Sequence, residues 1–305
     1  MPSGKRAKQQ RRAAAAAPPP VRSKGAPRGA RQASPRTLAI AGGVIVLVAI
    51  AIVLAVVLSK GSGSNTSSNQ NGDSETLNLI TGTPTLGSSS SSTAMQFAPD
   101  IAKLFKGIPQ RGLVLGKATA PVQLTEFIDL QCPVCKDFET TELPTIVKKY
   151  VRTGKLKIKM QPWSILDRAG TGVVDSDRGQ KATIAAAKQN KAFQFAEILY
   201  FNQGNEDTNW MTDGVICQIA ASVDGLNTAQ LISDANSSAT HGVAQQVDAT
   251  ANGLAQKFTT GGFNQQGFIG TPGLFLSKGN GPLQFYGTGV PDLGNLEHTI
   301  DSLAK

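Results

Sequence analysis

The chain has few of the residues on which metal and nucleic-acid chemistry rest. Its 305 residues include three cysteines, two histidines and two tryptophans. Zinc takes four ligands, usually as two closely spaced pairs. Only Cys132 and Cys135 form such a pair; Cys217, His241 and His298 are scattered, which leaves no second half for a zinc site. Acidic residues are missing from 1–36, where ten Lys or Arg stand among Ala, Pro and Gly. The other 20 basic residues face 21 acidic ones, so the whole formal charge of +9 lies in that stretch. It also contains no aromatic residue, which argues against DNA or RNA as a partner.

Charge and polarity vanish next. Leu38 to Leu58 is 21 residues of Leu, Ile, Val, Ala and two Gly. As a helix it covers about 30 Å, the thickness of a bilayer's hydrocarbon core. The basic flank before it predicts an amino terminus in the cytoplasm and everything after Ser59 outside. A cleaved signal would have a shorter apolar run ending in small residues, so a retained anchor is expected. Residues 59–93 are short of core-forming groups and rich in Ser, Gly, Asn and Thr, the composition of a flexible tether. The predicted order is a basic cytoplasmic tail over 1–37, a membrane helix over 38–58, a tether over 59–93 and one domain over 94–305.

Within that domain the patterning is mixed α and β. Ala94 to Lys106 reads as a short helix, and Leu113–Leu115 and Val122–Phe127 as strands. Leu156-Lys-Ile-Lys-Met160 alternates apolar and charged residues, which predicts a strand with its lysines on a solvated face. Residues 163–176 have no clear period and read as loop. Asp177 to Asn202 is the clearest helix. Shorter helices follow over Trp210–Val223 and Thr228–Ser233, and another over Val243–Phe258. A hairpin over Gly273–Tyr286, turning at Lys278–Gly281, and a helix over Asp292–Leu303 complete the order.

Between the second strand and its helix stands Cys132-Pro133-Val134-Cys135. The thiolate, not the thiol, is the nucleophile, and a helix start favours the anion through its unpaired N–H groups and the macrodipole. Cys132 would occupy that end, with Pro133 at the first helical position, where its missing N–H is not needed. Cys135 lies one turn on, close enough to close a disulfide and to resolve a mixed one. A bridge over so short a loop restricts the unfolded chain little, so it would be a poor structural staple. Redox chemistry is the reading these residues support. Pro144 is expected to bend or interrupt the helix after Leu143. Cys217, set among Val215, Ile216, Ile219 and Ala220, reads as a buried, inert thiol.

The stretch Glu126-Phe-Ile-Asp-Leu-Gln-Cys132-Pro-Val-Cys135 resembles the active-site segment of DsbA-like thiol-disulfide oxidoreductases. The likeness extends to Gly112–Gly116, Ala120–Val122, the Ala/Gln-rich segment Gln180–Leu199 and Gly270-Thr271-Pro272, and covers about 108–304. It implies an α/β thioredoxin fold with a helical insertion at about 177–260, preceded here by the single transmembrane helix. It implies Cys132 as the attacking sulfur, Cys135 as the resolving one, and a cis Pro272. The backbone at Thr271 would receive an extended client beside Pro133 and Val134. Glu126 would be a buried acid able to relay the Cys135 proton, with Asp129 as an alternative and Lys136 as an electrostatic aid. No cofactor beyond the cysteine pair is implied. The implied partners are unfolded exported proteins with free thiols and a quinone-linked membrane oxidase. One departure stands out: Val134 occupies the position where the strongest oxidants of the group carry His, which leaves the reduction potential open. A reductase or isomerase using the same site, and a non-catalytic holdase for extended segments, are the alternatives.

Overall fold

The computed structural model describes residues 76–167, 171–260 and 270–305. The expected basic tail, the membrane helix at 38–58 and the first half of the tether lie outside these residues. Among the described residues no helix is long and apolar enough to cross a membrane.

The core is a six-stranded mixed sheet. Its strands are β1 (Gln110–Arg111), β2 (Val114–Leu115), β3 (Val122–Ile128), β4 (Leu156–Pro162), β5 (Gly273–Lys278) and β6 (Gln284–Thr288). They lie side by side in the order β1-β2-β4-β3-β5-β6. β3 runs parallel to β4, with Glu126 opposite Met160, and antiparallel to β5, with Glu126 opposite Leu274. A parallel pair needs a crossover, and the helical rod that begins at Pro133 supplies it.

That rod is α2 (Pro133–Asp137), a wide π turn over Phe138–Glu142, α3 (Leu143–Ile146) and a second π turn over Val147–Val151. It follows α1 (Ala98–Phe105) in the chain. Pro144 does not interrupt it. The Leu143 N–H donates to the Phe138 carbonyl, five residues back, so the helix widens just before the proline and continues. Side chains of Val122, Leu124 and Ile128 on one face of β3 pack with Phe138, Leu143 and Ile146 of the rod in the main core. Alternation places Glu126 on that same inner face.

The insertion comprises α4 (Asp175–Lys188), α5 (Ala192–Phe201), α6 (Asp213–Ala221), α7 (Thr228–Ala235) and α8 (Ser238–Thr260), and α9 (Leu293–Leu303) ends the chain. The helix expected over Asp177–Asn202 is two helices. Asn190 takes a left-handed φ of 58° between them, and its side chain accepts from the Gly112 N–H at 2.8 Å.

Two further expectations are corrected. The lysines of β4 do not form a solvated face, for Lys159 is half-buried. Lys157 is buried and donates to the Ala118 carbonyl at 3.3 Å and to Asn280 at 2.8 Å. Their face of the sheet is covered by α8, whose Val247 and Ala251 pack with Phe127, Trp163 and Phe275. The tether also ends earlier than expected. Leu77 is buried, and its backbone exchanges two hydrogen bonds with Asn236, at 2.9 and 2.7 Å. Gly87 donates to the Leu226 carbonyl and Ser88 to that of Ala221. A Cβ on Gly87 would lie 2.3 Å from the Val223 oxygen, so only glycine fits there. Residues 76–93 are thus bound to the insertion, mostly by backbone groups that leave no hydrophobic period in the sequence.

Candidate functional site

β3 ends at Ile128 and delivers Asp129, Leu130 and Gln131 to the front of the rod. The Cys132 N–H donates back to the Asp129 carbonyl at 3.1 Å, and the Lys136 N–H to the Cys132 carbonyl at 3.1 Å, which starts the helix. Cys132 caps it in an extended conformation, with Pro133 in the first turn. Both cysteines are free thiols here. Cys132 is 6 % exposed and Cys135 is 0 %, whereas Pro133 is exposed and Val134 is 43 % exposed. Across from them the Thr271–Pro272 peptide is cis. The Cys132 thiol reaches the Thr271 carbonyl at 3.5 Å. The two cysteines, Pro133, Val134, Thr271 and Pro272 are therefore brought together.

The two sulfurs differ in acidity. The Cys132 thiol is lowered to about 6, first by a hydrogen bond from Cys135, against the cost of burial, then by Thr271 and the N–H groups of Cys135 and Val134. Burial, followed by donation to Cys132 and by its negative charge, pushes the Cys135 thiol well up. Lys136 is not among the groups that lower Cys132. At neutral pH the site holds a thiolate in front and a thiol behind it. Alkylation of the reduced protein should therefore titrate with a midpoint near pH 6, read from the pH dependence of the iodoacetamide rate. A midpoint near that of free cysteine, about 8.5, contradicts this geometry.

Asp129 is the structural knot behind the sulfurs. One carboxylate oxygen accepts from the Gln131 N–H at 3.0 Å, and the other from the Ile165 and Leu166 N–H groups, each at 3.0 Å. The Ser176 hydroxyl lies 2.8 Å from both oxygens. Burial outweighs these bonds and lifts the carboxyl to about 7. Its backbone carbonyl accepts the Tyr200 hydroxyl at 3.0 Å. The Gln203 amide donates to the carbonyls of Leu130 at 2.9 Å and Cys132 at 3.3 Å. Ser176, Tyr200 and Gln203 come from the insertion; Tyr200 falls within the helix expected over Asp177–Asn202, and Ser176 and Gln203 lie just outside it.

Glu126 is completely buried, and burial, then the charge of Glu139, raises its carboxyl well above the usual range. Cys217 is buried, with its thiol directed at the Asn78 carbonyl at 3.7 Å. Among the described residues no group of three or more His, Cys, Asp or Glu is placed to hold a metal ion.

Comparison with known proteins agrees with this layout. The model of a family described as thioredoxin matches residues 110–277. The probable disulfide bond formation protein D of Bacillus cereus is 32 % identical over 107 residues, covering 34 % of this chain and 47 % of that protein. The Bacillus subtilis disulfide bond formation protein D is 28 % identical over 115 residues, covering 36 % and 47 %. The chain thus spans about half the length of the curated relatives it matches. Among solved structures, the DsbA of Chlamydia trachomatis superimposes with a TM-score of 0.50 at 18 % identity, over 63 % of this chain and 90 % of that one. This last likeness speaks to the fold, a thioredoxin-like α/β sheet with a helical insertion.

Proposed function

This chain belongs to the thioredoxin family, and from that membership we propose that it is a thiol-disulfide oxidoreductase that introduces disulfides into exported proteins. The observation that carries the reading is the placement of Cys132 at a helix start, 3.5 Å from the Thr271 carbonyl beside the cis Pro272 and in front of a wholly buried Cys135, a setting that lowers the Cys132 thiol. A site that stabilises its reduced form is an oxidant.

In this mechanism the oxidised pair meets a client whose chain lies against the Thr271 backbone. A client thiolate attacks the Cys132 sulfur, the Cys132–Cys135 bond breaks, and a client–Cys132 disulfide forms. The client's second thiolate attacks its own bonded sulfur, and Cys132 leaves as a thiolate. Two electrons have passed from client to enzyme, and the client keeps the new disulfide. A membrane oxidase, the partner implied by the DsbA resemblance, removes those electrons. Leu38–Leu58 would hold the chain in the membrane, with the catalytic domain on the extracytoplasmic side, where disulfides persist. Full-length chain should stay with the membrane through an alkaline carbonate wash; release into the wash rejects the anchor.

The deciding measurement is the reduction potential of the Cys132–Cys135 pair against a glutathione buffer. A value between about −120 and −180 mV is expected for a disulfide donor. A value near about −270 mV assigns the same site to reduction, fed by a membrane electron donor.

A further inference from the structure

The face of the sheet opposite the cysteine helix borders a cavity that disulfide exchange does not use. Side chains alternate along a strand, so Gln123, Thr125 and Phe127 of β3 and Lys157, Lys159 and Gln161 of β4 turn toward α8. Phe127 packs there with Val247 and Ala251. Beside that contact a space of about 440 Å³ stays open between the sheet and the first half of α8. Phe127, Val247 and Leu283 give it apolar walls, and Thr125, Lys159 and Gln161 line its polar side. No acidic residue borders it.

The three polar groups have donors to spare. Lys159 is half-buried and makes no hydrogen bond or ion pair among the described residues, whereas the ammonium of Lys157 is taken up by Ala118 and Asn280. Gln161 is 8 % exposed, and its amide likewise finds no partner among the described residues. The Thr125 hydroxyl accepts from the Gln123 amide at 3.0 Å, which leaves its own proton to give. Register sets their spacing: Thr125 stands directly opposite Lys159, and Phe127 opposite Gln161. With strands about 4.8 Å apart and a rise of about 3.3 Å per residue, the three backbone positions lie within about 8 Å of one another. Burial alone lowers the Lys159 ammonium, and no carboxylate offsets its cost. The acid on this stretch of α8, Asp248, is engaged by the Gln180 amide at 2.7 Å and the Ser164 N–H at 3.4 Å. An apolar side chain would fill the place of Lys159 at less cost. An unpaired ammonium facing a cavity is therefore matched to an anion.

We propose that this cavity binds a small organic carboxylate, its head held by Lys159, Gln161 and Thr125 and its apolar body laid against Phe127, Val247 and Leu283. A carboxylate has about four lone-pair sites, enough to accept from all three donors, and the bond from the ammonium is charge-assisted. The apolar walls favour an organic acid over a bare inorganic anion, which would gain nothing from them. The volume is that of a small-molecule site, about 300–1,000 Å³. The cysteine helix packs on the other face of the sheet, so this site and the exchange reaction share a strand but no side chain. The proposal goes beyond the thiol-disulfide reading and does not rest on it.

The probe is para-fluorobenzoate, added to the full-length chain in a non-ionic detergent and followed by fluorine NMR. Saturable binding with a Kd at or below about 1 mM is expected. The neutral isostere para-fluorobenzamide should bind at least about tenfold more weakly, and Lys159→Met should weaken the benzoate by at least as much, because a charge-assisted bond is lost. Inorganic phosphate at equal concentration should leave the benzoate bound. The absence of saturable binding, equal affinity for acid and amide, or wild-type affinity in Lys159→Met each overturns the proposal, and displacement by phosphate overturns the assignment to an organic acid. Should the variant not fold, trace acetylation of the wild type decides. Benzoate is expected to shield Lys159 from the reagent several-fold, read by mass spectrometry of its peptide, and unchanged labelling overturns the site.

Discussion

Cys132→Ser abolishes disulfide transfer to a reduced client, a loss of at least about a thousandfold, by analogy with deletion of an enzymatic nucleophile. The reason is access. Cys135 is 0 % exposed and its thiol is held protonated by burial, so no other sulfur of the pair can meet an incoming thiolate. Cys217 offers no substitute, because it too is buried and sits on α6 of the insertion. The partner experiment is Cys135→Ser, which keeps the attacking sulfur but removes the resolving one. It should accumulate a client linked to Cys132 by a disulfide, seen as a reducible band on a gel. Client thiols in the Cys132→Ser reaction are counted by alkylation and mass. Undiminished oxidation there rejects the assigned roles. A chain that still captures clients without oxidising them, in both wild type and variant, is the holdase.

Asp129→Ala should cost about 3–5 kcal/mol of stability and lower the melting temperature by roughly 10 °C. The carboxylate accepts from three backbone N–H groups and one hydroxyl, on three segments that it ties together: the sulfur loop, the loop at 165–166 and the start of α4. Truncation leaves these donors buried and unpaired, a larger penalty than the loss of any one bond. The check is a denaturant titration of the oxidised full-length chain beside the wild type. A loss under about 1 kcal/mol means that water or a neighbour takes over the donors. The pH dependence has a definite sign. Glu126, Asp129, Glu139 and Glu197 all have raised folded values, so the native chain holds protons that the unfolded chain releases. Their contribution is fully present below about pH 4 and is lost as pH rises through about 7 for Asp129 and about 8 for Glu197.

The parts of the site that a local pattern carries could be read from residue order. An apolar run entering Cys-Pro-Val-Cys specifies a strand, a turn and a helix start, and each formed where expected. The hairpin after Pro272 was legible from its turn residues. What escaped is what distant elements contribute. Lys157 and Lys159 alternate like a wet strand face, and nothing local announces that α8 will lie across it. Residues 76–93 hold to the insertion through main-chain groups, which composition does not reveal. Tyr200 occupies a helix whose period says only that one side is buried, and Gln203 follows just beyond its end.

The contact between Cys132 and Thr271 spans 139 positions in the chain. At about 5–20 residues per second, the ribosome makes the cysteine pair roughly 7–28 s before it makes the threonine that completes their surroundings. The groups that acidify Cys132 accordingly arrive in two instalments. The Val134 and Cys135 N–H groups and the Cys135 thiol come with the cysteine itself, and Thr271 arrives near the end of synthesis. A nascent chain that has passed the insertion but not Thr271 therefore carries two nearby thiols without the client-facing wall. The complete surroundings of the cysteine pair therefore form late, when β5 closes against β3.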